Sequence, residues 1–244
     1  MKKKILFLAI LLFGGWVALG WDNNPFAHAP IGYLMQEPVQ GPADIAPFIF
    51  QDYAFSPHSY RITPKASYWI QARVLHKRRY YSDKYKGSLV PYDLGLGWKN
   101  MSDPVLLSDH YVFDHKSDTV GGRFLWTSWK TGKDGKPIVP PADKGDPMAQ
   151  LSNNHLIPAN VKVFNQLAHV KAGDMVALRG YLVEIEDPTN PYWKWTTSLT
   201  RNDTSTHWGG NNTSCETIFV TEVMRITSTT PLTFVDEKEG FRLF

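Results

Sequence analysis

Mainly β structure, arranged as an antiparallel small barrel or sandwich, is the fold class this sequence predicts. Three observations carry that reading. Aromatic residues make up 14% of the 244-residue chain, nine of them Trp, and aromatic and β-branched side chains favour strands. Residues 68–75, 175–185, 193–199 and 217–226 alternate with the period of two that a strand requires. One short stretch, about 159–169, instead repeats its apolar residues at helical spacing.

The chain opens Met1-Lys2-Lys3-Lys4, followed by an apolar run from Ile5 to Trp21 without a charge. A basic start before an apolar run is the layout of a signal peptide or signal-anchor. The run reaches the lower length limit for a spanning helix, near 17 residues. Residues 1–21 are therefore expected to be an N-terminal transmembrane or signal helix. As an anchor it makes a single-pass protein of the bacterial inner membrane with its C-terminal domain in the periplasm. Cleavage after Gly20, at the small residues Ala18-Leu19-Gly20, would instead release a periplasmic protein.

Residues 22–66 carry Pro25, Pro30, Pro38, Pro42, Pro47, Pro57 and Pro64. Proline at that density blocks helix and central strand alike, so this segment reads as a stalk and irregular arm. Phe48, Ile49, Phe50, Tyr53 and Phe55 give the arm apolar bulk to lay against a surface. A β-rich domain is expected over 67–230, and a C-terminal tail over 231–244.

Within the domain, the first strand is Tyr68 to Leu75, apolar on both faces and therefore central. Residues 89–108 read as loop with a short helical turn. Strands follow at Tyr111–Phe113 and Arg123–Trp129, then a Gly- and Pro-rich loop over 131–147. Residues 152–158 read as the lead-in to the helix at 159–169. A long strand from Met175 to Ile185 contains Gly180, where a bulge is expected. Trp193–Leu199 and Thr217–Ile226 complete the set. The order of Gly-Asp, glycine-interrupted strand, turn, strand, loop and strand suggests an OB-like barrel.

The charge balance excludes one class of function. The chain carries 26 Lys+Arg against 23 Asp+Glu. Lys2, Lys3 and Lys4 account for the whole excess, because no acid lies in the first twenty residues. The remainder balances at zero, whereas a general nucleic-acid binder carries a clear positive excess. Nucleic acid is thus a disfavoured partner, and an OB-like nucleic-acid or nucleotide binder is the third-ranked function. The expected partners are the inner membrane, through residues 5–21, and an envelope protein. The single cysteine, Cys215, allows no intramolecular disulfide, and Cys-rich zinc ligand sets are absent. No metal or cofactor is expected.

Two segments look alike to a known group of sequences. They are Ser152-Asn153-Asn154-His155-Leu156-Ile157-Pro158-Ala159 and Trp195-Thr196-Thr197-Ser198-Leu199-Thr200-Arg201-Asn202-Asp203-Thr204, with Cys215-Glu216 after them. Together with Asp93-Leu94-Gly95-Leu96-Gly97-Trp98 and Met101-Ser102-Asp103, they resemble an uncharacterised family of bacterial exported or inner-membrane-anchored proteins. The resemblance spans about residues 60–226. It implies an envelope location and carries no catalytic or binding role across.

Candidate chemistry centres on His155. An imidazole there suits a general base or ligand oriented by Asn153 or Asn154; the bland alternative has these residues capping the helix at 159–169. His-Leu-Ile-Pro is similar to the His-Ile-Ile-Pro core of HNH nucleases, but Asn154 stands where that motif has an acid or second His. Asp203 and Glu216 are the candidate acids. Arg201 and Asp203 are binding candidates in the polar loop 201–214, with an internal ion pair as the alternative. Arg73, Lys77, Arg78 and Arg79, interleaved with Tyr80 and Tyr81, form a candidate basic patch for an anionic partner. No elbow, Walker, Rossmann or His-Glu-x-x-His pattern is present. The leading expectation is a membrane-tethered periplasmic binding or accessory module, with the enzyme question open and leaning against one. The runner-up is an envelope hydrolase using His155 with Arg201, Asp203 or Glu216.

Overall fold

The computed structural model describes residues 24–27, 29, 34–51, 58–81, 89–117, 123–199 and 215–227, and the backbone of 232–234 and 241–243. The N-terminal apolar run and the loop bearing Arg201 and Asp203 lie outside the described residues.

The chain is mainly β with a large sheet and few helices. Its strands are β1 (Val39–Pro42), β2 (Phe48–Gln51), β3 (Ser59–Arg79) and β4 (Tyr92–Gly97), then helix α1 (Pro104–His110). A hairpin, β5 (Tyr111–Ser117) with β6 (Arg123–Trp129), follows. Next come β7 (Leu151–Pro158), α2 (Val161–His169), β8 (Met175–Asp187), β9 (Asn190–Trp195) and β10 (Cys215–Ile226). Two short strands, β11 (Leu232–Phe234) and β12 (Phe241–Leu243), pair with each other.

β3 organises the sheet. It begins inside the segment that its prolines suggested was an irregular arm, and Pro64 sits within it. The register with β8 shifts between Pro64 and Ala66, and the register with β4 shifts between Val74 and His76. A bulge leaves a residue out of the ladder and bends the strand. The first bulge leaves Lys65 out of the ladder next to Pro64, which has no N–H to donate. The two bends let a 21-residue strand pair with β8 over its first part and with β4 over its last.

From β3 the pairing runs through β4, β7, β10 and β8 and returns to β3. Neighbours are antiparallel except β7 and β10, which run parallel. β1, β2 and β9 extend the edges. The inward faces of the five principal strands bury Ile70, Val74, Leu94, Leu96, Leu156, Leu178, Leu182, Ile218 and Val220 in one cluster.

α2 closes one end of that cluster with Val163 and Leu167. Asn160 caps its start by accepting from Val163 N at 3.0 Å. Lys77 Nζ finishes it, donating to the carbonyls of Leu167, Ala168 and Val170 at 2.7–2.9 Å. These are orphan acceptors of the last turn, where a cation is favoured.

Gly180 permits a close approach. A Cβ there would lie 2.0 Å from Phe219 O of β10. The irregularity expected at Gly180 falls on the partner instead: β10 slips between Val220 and Glu222. Residues 92–97 and 151–158, read from sequence as loop and helix lead-in, are both fully buried central strands.

Candidate functional site

Strand alternation gives the sheet two chemically different faces. Registers align Arg78 with Asp93, Asp93 with His155, and His155 with Thr217. They also align His76 with Gly95, Gly95 with Asn153, and Asn153 with Cys215. These residues share the outward face. Leu94, Asn154 and Glu216 align one residue away and leave the sheet on the inward face.

Asp93 is the centre of the outward face and is fully enclosed. His155 Nδ1 lies 2.8 Å from its Oδ1. Arg123 grips both oxygens, with Nε donating to Oδ2 at 2.8 Å and Nη2 to Oδ1. Nη2 also donates to Val90 O at 3.0 Å. Burial alone would raise the Asp93 pKa, but His155 and Arg123 overcome it and hold the carboxyl well below the usual range.

Aromatic rings seal this group. The Arg123 guanidinium stands 3.6 Å from the centre of the Tyr80 ring and 5.4 Å from that of Trp195. Trp195 meets the His155 ring edge-on, with centroids 4.9 Å apart. Burial and the Asp93 charge push the Tyr80 phenol above its usual range. Among the described residues nothing hydrogen-bonds His155 Nε2. An ionised Asp93 can only accept, so Nδ1 carries a proton and a neutral His155 has Nε2 as a free acceptor.

A second polar group lies alongside. His115 Nε2 is 2.9 Å from Asn153 Oδ1, and His115 Nδ1 is 2.7 Å from His76 Nδ1. Asn153 Nδ2 donates to Arg123 O at 2.9 Å and approaches Cys215 Sγ at 3.5 Å. Arg78 Nη1 donates to His115 O at 2.9 Å. The hairpin β5–β6 thus lies over the sheet through His115 and Arg123. Gly95 makes room for it: a Cβ there would meet the Leu125 methyls at 2.7 and 2.8 Å.

No family model, no curated protein and no solved structure matches the chain.

The sequence-derived candidates divide clearly on this frame. His155 and Asn153 belong to the site. Asn160, not His155 or its neighbours, caps α2. Asn154 is tied into the inward face, donating to Ser152 Oγ at 2.8 Å and Leu94 O at 3.2 Å. Glu216 is buried on that same face, so it is no partner for His155. Arg201 and Asp203 fall outside the described residues.

The four basic residues do not form one surface patch. Arg73 is buried and donates to Ser102 O and Gly173 O at 2.6 and 2.8 Å. Lys77 finishes α2 and Arg78 holds the hairpin. Arg79 is exposed and stacks over Tyr81 at 4.6 Å. Among the described residues no cluster of three or more His, Cys, Asp or Glu is placed to hold a metal. No described helix is long and apolar enough to cross a membrane.

Sequence reasoning missed Asp93, Arg123, His115, His76 and Tyr80 as site residues. A signal for Asp93 existed: Leu94 and Leu96 alternate with Gly95 and Gly97, a period of two that the glycines disguise as a turn.

Proposed function

We propose that this chain is a binding or accessory module of the bacterial envelope, tethered by residues 5–21 and facing the periplasm, with recognition centred on the outward face of β4 and β7. The observation that carries the reading is the Asp93–His155 contact at 2.8 Å, braced by Arg123. A site needs side chains held in place before a ligand arrives, and this imidazole is fixed on two central strands with Nε2 left to a ligand. The location rests on the basic-then-apolar chain start and on the resemblance to exported proteins.

The pairing order supports an OB-like barrel as the framework. Its five strands would be β3, β4, β7, β8 and β10, with α2 between the third and fourth. In that architecture the face of the second and third strands, with the loops joining strands one to two and four to five, takes ligands. Those strands are β4 and β7, the two that carry Asp93, Asn153 and His155. Fold alone gives no function, so the weight rests on the side chains. The zero charge balance of the exported part favours an uncharged or protein ligand over nucleic acid.

A hydrolase is the second reading, favoured by one specific observation. A carboxylate on Nδ1 that leaves Nε2 open is the orientation a general base requires. That base would act with Asp93 and not with Glu216.

The test is a pull-down from membranes with the full chain as bait, comparing wild type with His155→Gln and Asp93→Asn. The proposal expects a captured envelope protein that both variants lose while retaining the wild-type circular dichroism spectrum. An identical capture set from folded variants would overturn it.

A further inference from the structure

The hairpin β5–β6 covers the Asp93–His155 face, and its polar attachment runs through Arg123 and His115. The His115 contacts determine where protons sit. Asn153 Nδ2 donates to Arg123 O, so Oδ1 is the atom turned toward His115 Nε2. An amide oxygen only accepts, so Nε2 carries hydrogen. Neutral His115 therefore has a bare Nδ1, and the 2.7 Å contact requires His76 Nδ1 to donate.

The remaining bare nitrogen is His76 Nε2, on a partly exposed ring and 4.0 Å from Asp114 Oδ1. A first added proton goes there, beside a carboxylate, and leaves the chain of hydrogen bonds intact. A second must go to His115 Nδ1. Two N–H groups then point at each other across 2.7 Å.

We propose that the His76–His115 contact is an acid-released latch: a second proton on the pair breaks it, the β5 side of the hairpin loosens about the retained Arg123–Asp93 pair, and the Asn153 side of the outward face opens to a ligand. The role of the opening rests on reading that face as the binding site; the latch itself does not.

The charged and titratable neighbours of His115 come from every strand around it. β3 presents His76 and Arg78, β4 presents Asp93, and β5 itself carries Asp114. β6 presents Arg123, β7 presents His155 beside Asn153, and β10 presents Cys215 behind Asn153. Asp93 favours a charged His115 but is already committed to Arg123 and His155. Burial lowers the His115 pKa from 6.5 to about 4, with His76 and His155 adding to the effect. A lowered value means the closed state resists protonation. Its full stability is present above about pH 6.5 and declines as pH falls toward 4.

Cys215, the sole cysteine, is partly exposed and lies 3.5 Å from Asn153 Nδ2, so release of Asn153 from His115 changes its access in the full-length chain. Its reaction with 4,4′-dithiodipyridine is followed from about pH 7.5 to about pH 4.5, relative to free cysteine, with near-UV circular dichroism recorded in parallel. The latch predicts at least a tenfold relative acceleration, about one pH unit of linkage, with the near-UV spectrum retained. In His76→Asn the amide can turn its oxygen toward a protonated His115, so the acceleration disappears. A flat wild-type profile, an equal acceleration in His76→Asn, or loss of the near-UV signal in step with labelling would each overturn the proposal.

Discussion

Asp93 holds His155 Nδ1 at 2.8 Å from a position with no solvent exposure. A buried carboxylate survives there because a guanidinium and an imidazole meet it from two sides. The polar face and the sheet are therefore one construction, and several consequences can be measured.

Asp93→Asn leaves Arg123 buried without its counter-charge. Breaking one partner of a buried pair costs about 3–5 kcal/mol. Urea unfolding of the variant should show a midpoint shift of that size. The joint replacement Asp93→Leu with Arg123→Met should lose less than the single change, because it leaves no stranded charge.

The same carboxyl governs acid stability. Its folded pKa lies below its unfolded value, so its contribution is complete above the ordinary carboxylate range. It is lost as pH falls from about 4 through the depressed value. A stability profile against pH should fall over that window in wild type and flatten in the Leu/Met double variant.

Gly95→Ala places a methyl group against the end of the Leu125 side chain. The contact is to a flexible side chain, so the hairpin shifts and the sheet survives. The expected cost is about 1–3 kcal/mol, and adding Leu125→Ala should recover most of it in thermal unfolding.

Gly180→Ala meets backbone instead. Phe219 O cannot move without separating β8 from β10. The loss should exceed that at Gly95, at about 4 kcal/mol or more. Hydrogen exchange of β8 and β10 amides should rise first.

Lys77→Met removes the cation from three carbonyls at the end of α2. The expected cost is about 1–2 kcal/mol. Amides of Ala168 and His169 should lose protection while those of β4 do not.

Much of the fold was legible in the chain itself. Ile70, Val74, Leu178, Leu182, Ile218 and Val220 show their period of two openly, and β3, β8 and β10 lie where that alternation stands. β4 and β7 were not legible, for different reasons. Glycines at 95 and 97 look like turn residues, yet they sit in a strand because Leu125 and the Met101 backbone crowd that face. Asn153, Asn154 and His155 look like cap or loop residues, yet inside the sheet Asn153 meets His115 and Arg123 of the hairpin, Asn154 donates to Leu94 and Ser152, and His155 meets Asp93.

The site was half visible. His155 and Asn153 stand out as polar residues beside an apolar run. Their partners Asp93, Arg123, His115 and His76 lie 30 or more positions away. Only the pairing of β4 with β7 and the fold-over of the hairpin bring them together. Glu216 is next to Cys215 in sequence but one alternation away in space, which no local reading distinguishes.

The proton position on His155 tests its orientation by Asp93 at first hand. Long-range 15N–1H correlation spectra of the histidine-labelled full-length chain at about pH 7 report it. The 2.8 Å Asp93 contact requires hydrogen on Nδ1, held against exchange, with that signature lost in Asp93→Asn. A neutral His155 with its hydrogen on Nε2 would contradict it, because Asp93 would then not be orienting the ring.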